Sequence, residues 1–137
     1  MSVNLPTATI EIQIPFHDVD LLGIVWHGHY IKYFEIARCA LFDQIDYGYE
    51  RMGESGYSWP VIDVRVRYPQ PAKFGDLILV KATVAEWENR LKVDYEITKK
   101  TNGQRLTKGF TVQVAIELES GEMCLESPPV LKQRLGI

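Results

Sequence analysis

The chain reads as an α+β domain in which one long, mostly apolar helix is held by a five-stranded antiparallel sheet. Three observations predict this. A single stretch, from His29 to about Ile45, carries apolar residues at helical spacing. Five other stretches read as strands. Two of the junctions between strands, Glu88-Asn89-Arg90 and Thr101-Asn102-Gly103, are short enough for tight hairpins.

In chain order, Ala8 to Ile14 alternates cleanly, with Ile10, Ile12 and Ile14 on one face and Glu11 and Gln13 on the other. Phe16 to Gly28 follows as a loop punctuated by Gly23. In the long helix, Ile31, Phe34, Ala37, Leu41 and Ile45 recur at three- and four-residue steps. Tyr30, Tyr33, Ile36, Ala40 and Phe42 widen the apolar surface, so the helix is expected to be covered on most sides. A short second helix is expected through Tyr49 to Met52, before a turn at Gly53 to Ser58. The remaining strands are Trp59 to Tyr68, Leu77 to Trp87, Leu91 to Lys100 and Leu106 to Leu118. Pro69, Pro71 and Gly75-Asp76 separate the first two, and a short tail with Pro128-Pro129 ends the chain.

Geometry favours one arrangement of these parts. A helix of about 17 residues is roughly 25 Å long, and five strands side by side span roughly 24 Å. Twisted strands of ten residues can curl around such a helix. The outer sheet face and the sheet edges then need covering, which predicts a homo-oligomer, a dimer or a tetramer.

Bulk properties narrow the function. The 137 residues fit one domain, 1–137, able to bury a core without disulfides or a structural metal. A net charge of −3 gives no overall pull toward nucleic acid or an anionic membrane. No apolar run approaches the length of a membrane span, and Met1 to Thr9 lacks the regions of a signal peptide. Cys39 and Cys124, far apart and in no metal-type spacing, suit a reduced cytoplasmic protein and read as small buried hydrophobes.

The residues capable of proton chemistry concentrate in one place. All three histidines lie between Phe16 and Tyr30, with Asp18 and Asp20. No Ser, Thr, Asp or Asn stands between Trp26 and Ile31 to cap the helix, and Gly28 lets another group approach the backbone. The first helix amides are therefore available to a ligand oxygen, with the helix dipole behind them. They could hold a developing oxyanion while a carboxylate attacks or deprotonates water. The residue types alone leave two other readings open: an Asp that merely forms a turn, and a metal site drawn from His17, Asp18, Asp20, His27 and His29. The spacing matches no compact metal motif, so neither metal nor cofactor is expected.

The run Asp18-Val19-Asp20, Gly23-Ile24-Val25-Trp26, Tyr30 and Phe34-Glu35-Ile36-Ala37-Arg38 resembles the signature of 4-hydroxybenzoyl-CoA thioesterase-like hotdog proteins. Looser similarity extends through Arg67-Tyr68 and Pro71-Ala72-Lys73-Phe74-Gly75-Asp76. The resemblance implies a helix wrapped by an antiparallel sheet and hydrolysis of an acyl thioester. It implies Asp20 as the catalytic carboxylate and the amide of His27 as the group that polarises the thioester carbonyl. A His at that position also matches the branch acting on aliphatic acyl-CoA. Gly28, Tyr30 and Trp59 become candidates for substrate contact, Trp59 being equally readable as core. At the hairpin where aromatic-acyl members carry a strongly basic tip, this chain offers only Arg90 and Lys92, so an acyl carrier protein stays open beside acyl-CoA as the donor.

Two rivals accompany this reading. The fold also hosts hydratases and dehydratases, whose His-centred motif is not found here, and non-catalytic acyl-thioester-binding proteins. A regulator of that second kind would be expected to carry a DNA-binding unit, for which 137 residues leave no room. Glu35 is an alternative carboxylate, though pairing with Lys32 or Arg38 is its expected role.

Overall fold

A computed structural model describes residues 5–137. Its elements are β1 (Thr7–Gln13), a 3-10 turn (Phe16–Asp18), α1 (His29–Gln44), α2 (Tyr49–Glu54), β2 (Tyr57–Ser58), β3 (Val61–Arg67), β4 (Leu77–Glu86), β5 (Leu91–Lys99), β6 (Arg105–Gln113), β7 (Ile116–Glu117) and α3 (Pro129–Leu135). The main sheet has the order β1-β4-β5-β6-β3, with antiparallel neighbours throughout. This is the helix-and-sheet arrangement the sequence predicts, with β1 and β3 at the two edges.

Alternation explains which faces meet. Ile78, Val80, Ala82 and Val84 of β4, and Leu91, Val93, Tyr95 and Ile97 of β5, are buried on the concave side. Against them α1 places Tyr30, Tyr33, Phe34, Ala37 and Leu41, all essentially inaccessible. Phe34 stacks on Tyr95 with ring centres 4.3 Å apart. Gly109 makes room for this pair, since a Cβ there would meet the Phe34 ring and the Arg65 carbonyl.

Four expectations need correction. Helix α1 is not covered on most sides: Ile31, Ile36 and Cys39 are exposed with Lys32 and Asp43, because the buried ridge turns them outward. Cys39 is therefore not a buried hydrophobe, and Cys124 is only half-buried. The two long strands expected over 59–68 and 106–118 each break near Pro60 and Val114, and their outer ends, β2 and β7, pair as a separate ribbon. Pro60 has no N–H to extend the ladder, and a bulge shifts the register between Val61 and Asp63. The tail also folds. Pro128 and Pro129 open α3, Leu131 anchors it in the core, and Gly136 closes it at φ 75°.

The fold sorts the loops to opposite ends. The Gln44 side chain donates to the Thr7 carbonyl, so the end of α1 lies over the start of β1. At the other end, Ile14 N–H donates to Asp76 O, Val25 N–H to Ala72 O and Phe74 N–H to Gly23 O. These bonds gather 14–28 and 68–76 around the start of α1.

Candidate active site

The segment before α1 is a small hairpin. Val19 bridges Val25, Asp20 N–H donates to Ile24 O, and Trp26 N–H donates to Asp18 O. Its turn runs from Asp20 to Gly23, closed by Gly23 N–H to Asp20 O, and Gly23 takes φ +77°, where side-chain-bearing residues are strained. Asp20 Oδ1 accepts the Leu22 N–H at 2.8 Å, which makes Asp20 a turn former as the plainer reading held. That bond also fixes the direction of an exposed carboxylate, whose Oδ2 accepts no hydrogen bond among the described residues. Leu21 and Leu22 beside it are almost fully exposed.

Asp18, two residues earlier, has the opposite environment. It is buried, and both its oxygens accept from Lys32 Nζ at 2.8 Å. The Tyr33 hydroxyl donates to Oδ2 at 2.6 Å, and the His29 imidazole stands 4.0 Å from Oδ1. Burial alone would raise the Asp18 carboxyl, but the hydrogen bonds from Lys32 and Tyr33 and the attraction of Lys32 and His29 hold it below the ordinary carboxylate value. Burial and the same hydrogen bond push the Tyr33 hydroxyl far up, so it remains a donor. Sequence reasoning placed Asp18 in the cluster but assigned it no work. Its partners lie 14 and 15 residues away, a separation no local pattern reveals.

The start of α1 is uncapped by any side chain, as predicted, with Gly28 at the N-cap. His29 N–H donates to Trp26 O, whereas the amides of His27 and Gly28 have no acceptor among the described residues. The close approach allowed by Gly28 is used by the chain itself: a Cβ there would collide with the Trp26 indole. The indole packs near both imidazoles, 5.1 Å from His27 and 5.3 Å from His29 by ring centres. The Tyr68 hydroxyl donates to His27 O at 3.2 Å and so ties the helix start to the end of β3. Tyr30 lies in the core, where its hydroxyl accepts the Ala72 N–H at 3.1 Å. Ala72 O in turn receives Val25, so Tyr30 holds the hairpin against the helix.

Asp20, His27, Gly28 and Tyr30 thus share one end of the subunit. Trp59, Arg90 and Lys92 lie at the other. Trp59 is buried, its indole N–H donates to the Tyr47 hydroxyl at 3.1 Å, and it borders a cleft with Tyr49, Met52 and Leu118. Arg90 is engaged by Glu86 at 2.7 Å. Lys92 rests over the Phe110 ring, 3.9 Å from Asp94. Neither is a free cation. A better basic groove lies on the outer sheet face, lined by Arg65, Arg67, Lys108 and Phe110 together with Asp94. None of those three cations forms an ion pair among the described residues. The signal was present in Arg65-Val66-Arg67, since a two-residue spacing on a strand puts both guanidinium groups on one face.

Glu35 pairs with Arg38 at 3.8 Å, the role expected for it. Among the described residues, no group of three His, Cys, Asp or Glu side chains is arranged to hold a metal ion, and no helix is long and apolar enough to cross a membrane.

Comparison with known proteins gives the family and the fold. Residues 14–135 match the model of the family described as "Thioesterase-like superfamily". "Putative acyl-CoA thioesterase YneP" of Bacillus subtilis is 29% identical over 121 residues, covering 85% of this chain and 78% of its own. Among solved structures, a 1,4-dihydroxy-2-naphthoyl-CoA thioesterase from Synechocystis superimposes with a TM-score of 0.84 at 23% identity, over 95% of this chain and 96% of that one. A DHNA-CoA thioesterase from Staphylococcus aureus gives 0.78 at 26% identity, over 87% and 80%.

Proposed function

The chain belongs to the thioesterase-like superfamily and is a thioester hydrolase with the hotdog fold; from that premise we propose that it hydrolyses acyl-CoA with Asp20 as the catalytic carboxylate. The observation that carries this reading is the pairing of an oriented, exposed carboxylate with an uncapped helix start in one hairpin-and-helix unit. The His27 amide, with Gly28 beside it, polarises the thioester carbonyl and receives the negative charge that builds on its oxygen. Asp20 takes a proton from water as the water oxygen bonds to the carbonyl carbon, and the C–S bond then breaks to release free acid and thiol. Attack by Asp20 itself, through an acyl-carboxylate anhydride that water cleaves, gives the same products. Measuring free thiol released from a panel of acyl-CoAs by the parent and by Asp20→Asn tests the assignment. Turnover by the variant within tenfold of the parent overturns it.

Two further features shape the proposal. CoA is favoured over a carrier protein as donor because the groove of Arg65, Arg67 and Lys108 suits phosphate groups, and Arg67 directly precedes Tyr68, the residue bonded to His27. This groove replaces Arg90 and Lys92 in that role. The protein is also read as at least a dimer. Strand β3 is a sheet edge with Ile62 58% exposed and Val64 37% exposed. Two β3 strands paired antiparallel about Val64 would set Trp59-Pro60 of one copy beside Tyr68 and His27 of the other. That arrangement unites the two halves of the site that one subunit keeps apart.

A further inference from the structure

Asp18 is bonded to both parts of the site without belonging to either. Its backbone carbonyl accepts the Trp26 N–H at 3.0 Å, one residue before His27. Its carboxylate accepts from Lys32 and Tyr33, the fourth and fifth residues of α1. One residue therefore holds the chain on either side of 27–31, the stretch that carries the His27 and Gly28 amides. In the other direction Asp20 lies two residues along, where Val19 bridges Val25 and the Asp20 N–H donates to Ile24 O.

The neighbouring contacts do not duplicate this link. Tyr30 reaches the hairpin only through Ala72, and Tyr68 holds His27 from the β3 side. Among the described residues, Asp18 is the only one of 14–26 whose side chain hydrogen-bonds α1. Leu21 and Leu22 at the hairpin tip are almost fully exposed, so packing does not fix the tip. Val25 is buried and keeps the hairpin down, but apolar contact is non-directional. The Asp18 carboxylate takes two bonds from Lys32 at 2.8 Å and one from Tyr33 at 2.6 Å, and such charge-assisted bonds fix angle as well as distance. His17 and His29 stand 3.8 and 4.0 Å from Oδ1, outside hydrogen-bonding reach. An apolar pair of similar volume would serve stability about as well, so what the 2%-exposed carboxylate adds is a defined geometry.

We propose that Asp18 is a positioning residue for the hydrolysis: it holds the Asp20 carboxylate and the His27 amide in the relative placement the reaction needs, without touching the substrate. This rests on the assignment of Asp20 above. A displacement of about 1 Å between reacting groups costs on the order of a hundredfold in rate, which sets the size of the effect.

The experiment measures kcat and KM for Asp18→Asn, Tyr33→Phe, the two combined, and Asp20→Asn. The substrates are two acyl-CoAs and the matching acyl-pantetheine thioesters, at a temperature where denaturant curves show each variant folded. Asp18→Asn is expected to lower kcat at least tenfold, by the same factor within threefold for every thioester, with KM within threefold of the parent. Tyr33→Phe removes one of the three bonds and leaves the ion pair, and is expected to lower kcat at least threefold in the same pattern. The combined variant is expected to fall no more than threefold below Asp18→Asn alone, because both changes act through one contact. A side chain that only stabilised the fold would leave kcat of the folded variant unchanged. A smaller loss of kcat in Asp18→Asn, a larger change in KM, a loss that varies further between thioesters, or a further drop in the combined variant overturns the proposal. If Asp18→Asn does not fold, Tyr33→Phe decides by the same reading, and less than a threefold loss of kcat overturns it. Asp20→Asn within tenfold of the parent removes the Asp20 assignment and this one with it. Inactive Asp20→Asn beside fully active Asp18→Asn removes only this one.

Discussion

The Tyr33 hydroxyl donates to the Asp18 carboxylate at 2.6 Å, and this bond joins the first buried turn of α1 to the hairpin that presents Asp20. Lys32 completes the carboxylate's partners from the adjacent helix position. Of the two Asp residues in the Asp-Val-Asp run, the first is thus a buried anchor and the second an exposed carboxylate at the turn. A two-residue step along extended chain would normally point both the same way. The turn at Asp20 and the 3-10 turn at Asp18 separate their surroundings.

Asp18→Asn is expected to destabilise the fold by about 1–3 kcal/mol near neutral pH, since it removes the charge from hydrogen bonds that Lys32 and Tyr33 now make to an ion. Lys32 is half exposed, which keeps the loss below that of a fully buried pair. The sign of the pH effect follows from the lowered carboxyl. Stability from this group is present above the unfolded-state value near 4 and is lost as pH falls through the lower folded value. Denaturant midpoints measured from pH 7 down to pH 2 should therefore fall less steeply at the acid end for Asp18→Asn than for the parent. Parallel curves would show that Asp18 is not the linked group.

Asp20→Asn is expected to lower kcat by a hundredfold or more while leaving the denaturant midpoint nearly unchanged. Asn retains the oxygen that accepts the Leu22 N–H, so the turn survives, but it cannot serve as base or nucleophile. His27→Ala is expected to be milder, because its backbone amide remains. Thiol release and unfolding curves on the same preparations check both. A loss for His27→Ala as complete as that for Asp20→Asn would assign the work to the imidazole.

How much of this was legible depends on whether the cause is local. The helix from His29, its missing cap and the hairpin turns are written in neighbouring residues, and the structure reproduces them within a residue or two. The turn function of Asp20 was equally local. Exposure of Ile31, Ile36 and Cys39 was not, since a broad apolar surface does not say which part faces the sheet. The separation of Trp59, Arg90 and Lys92 from Asp20 was likewise hidden, because the resemblance supplies residues without saying which end of the subunit holds them. Helix α3 was locally visible, in prolines at its start and a glycine after it, yet too short for periodicity to stand out.

Arg67→Ala is expected to raise KM for an acyl-CoA about five- to tenfold with kcat little changed, and to leave the acyl-pantetheine thioester unaffected. On the proposed assignment, a cation on the outer sheet face would meet the CoA phosphates and not the reacting carbonyl. Arg90→Ala, whose guanidinium is occupied by Glu86, is expected to change neither parameter. Steady-state kinetics with both thioesters separates the cases, and equal effects of Arg67→Ala on the two would remove the groove from CoA binding.

Val64→Lys tests the assembly. Val64 lies in the middle of edge strand β3, on the side of the sheet that carries Val66, and is 37% exposed in the single subunit. If two β3 strands pair about this position, two lysines would meet at the twofold axis, where like charges are unfavourable and a charge on an edge strand prevents pairing. One subunit would still fold, because Val64 is not part of the fully buried core. The expected outcome is a shift in light scattering from a multiple of the subunit mass to the 15.7 kDa of a monomer. Thiol release should fall at least a hundredfold, although Asp20 and His27 are untouched. Activity should fail through the loss of Trp59-Pro60 supplied by the second copy. A monomeric variant with full activity would show that one subunit contains the whole site, and an unchanged mass would move the interface away from β3.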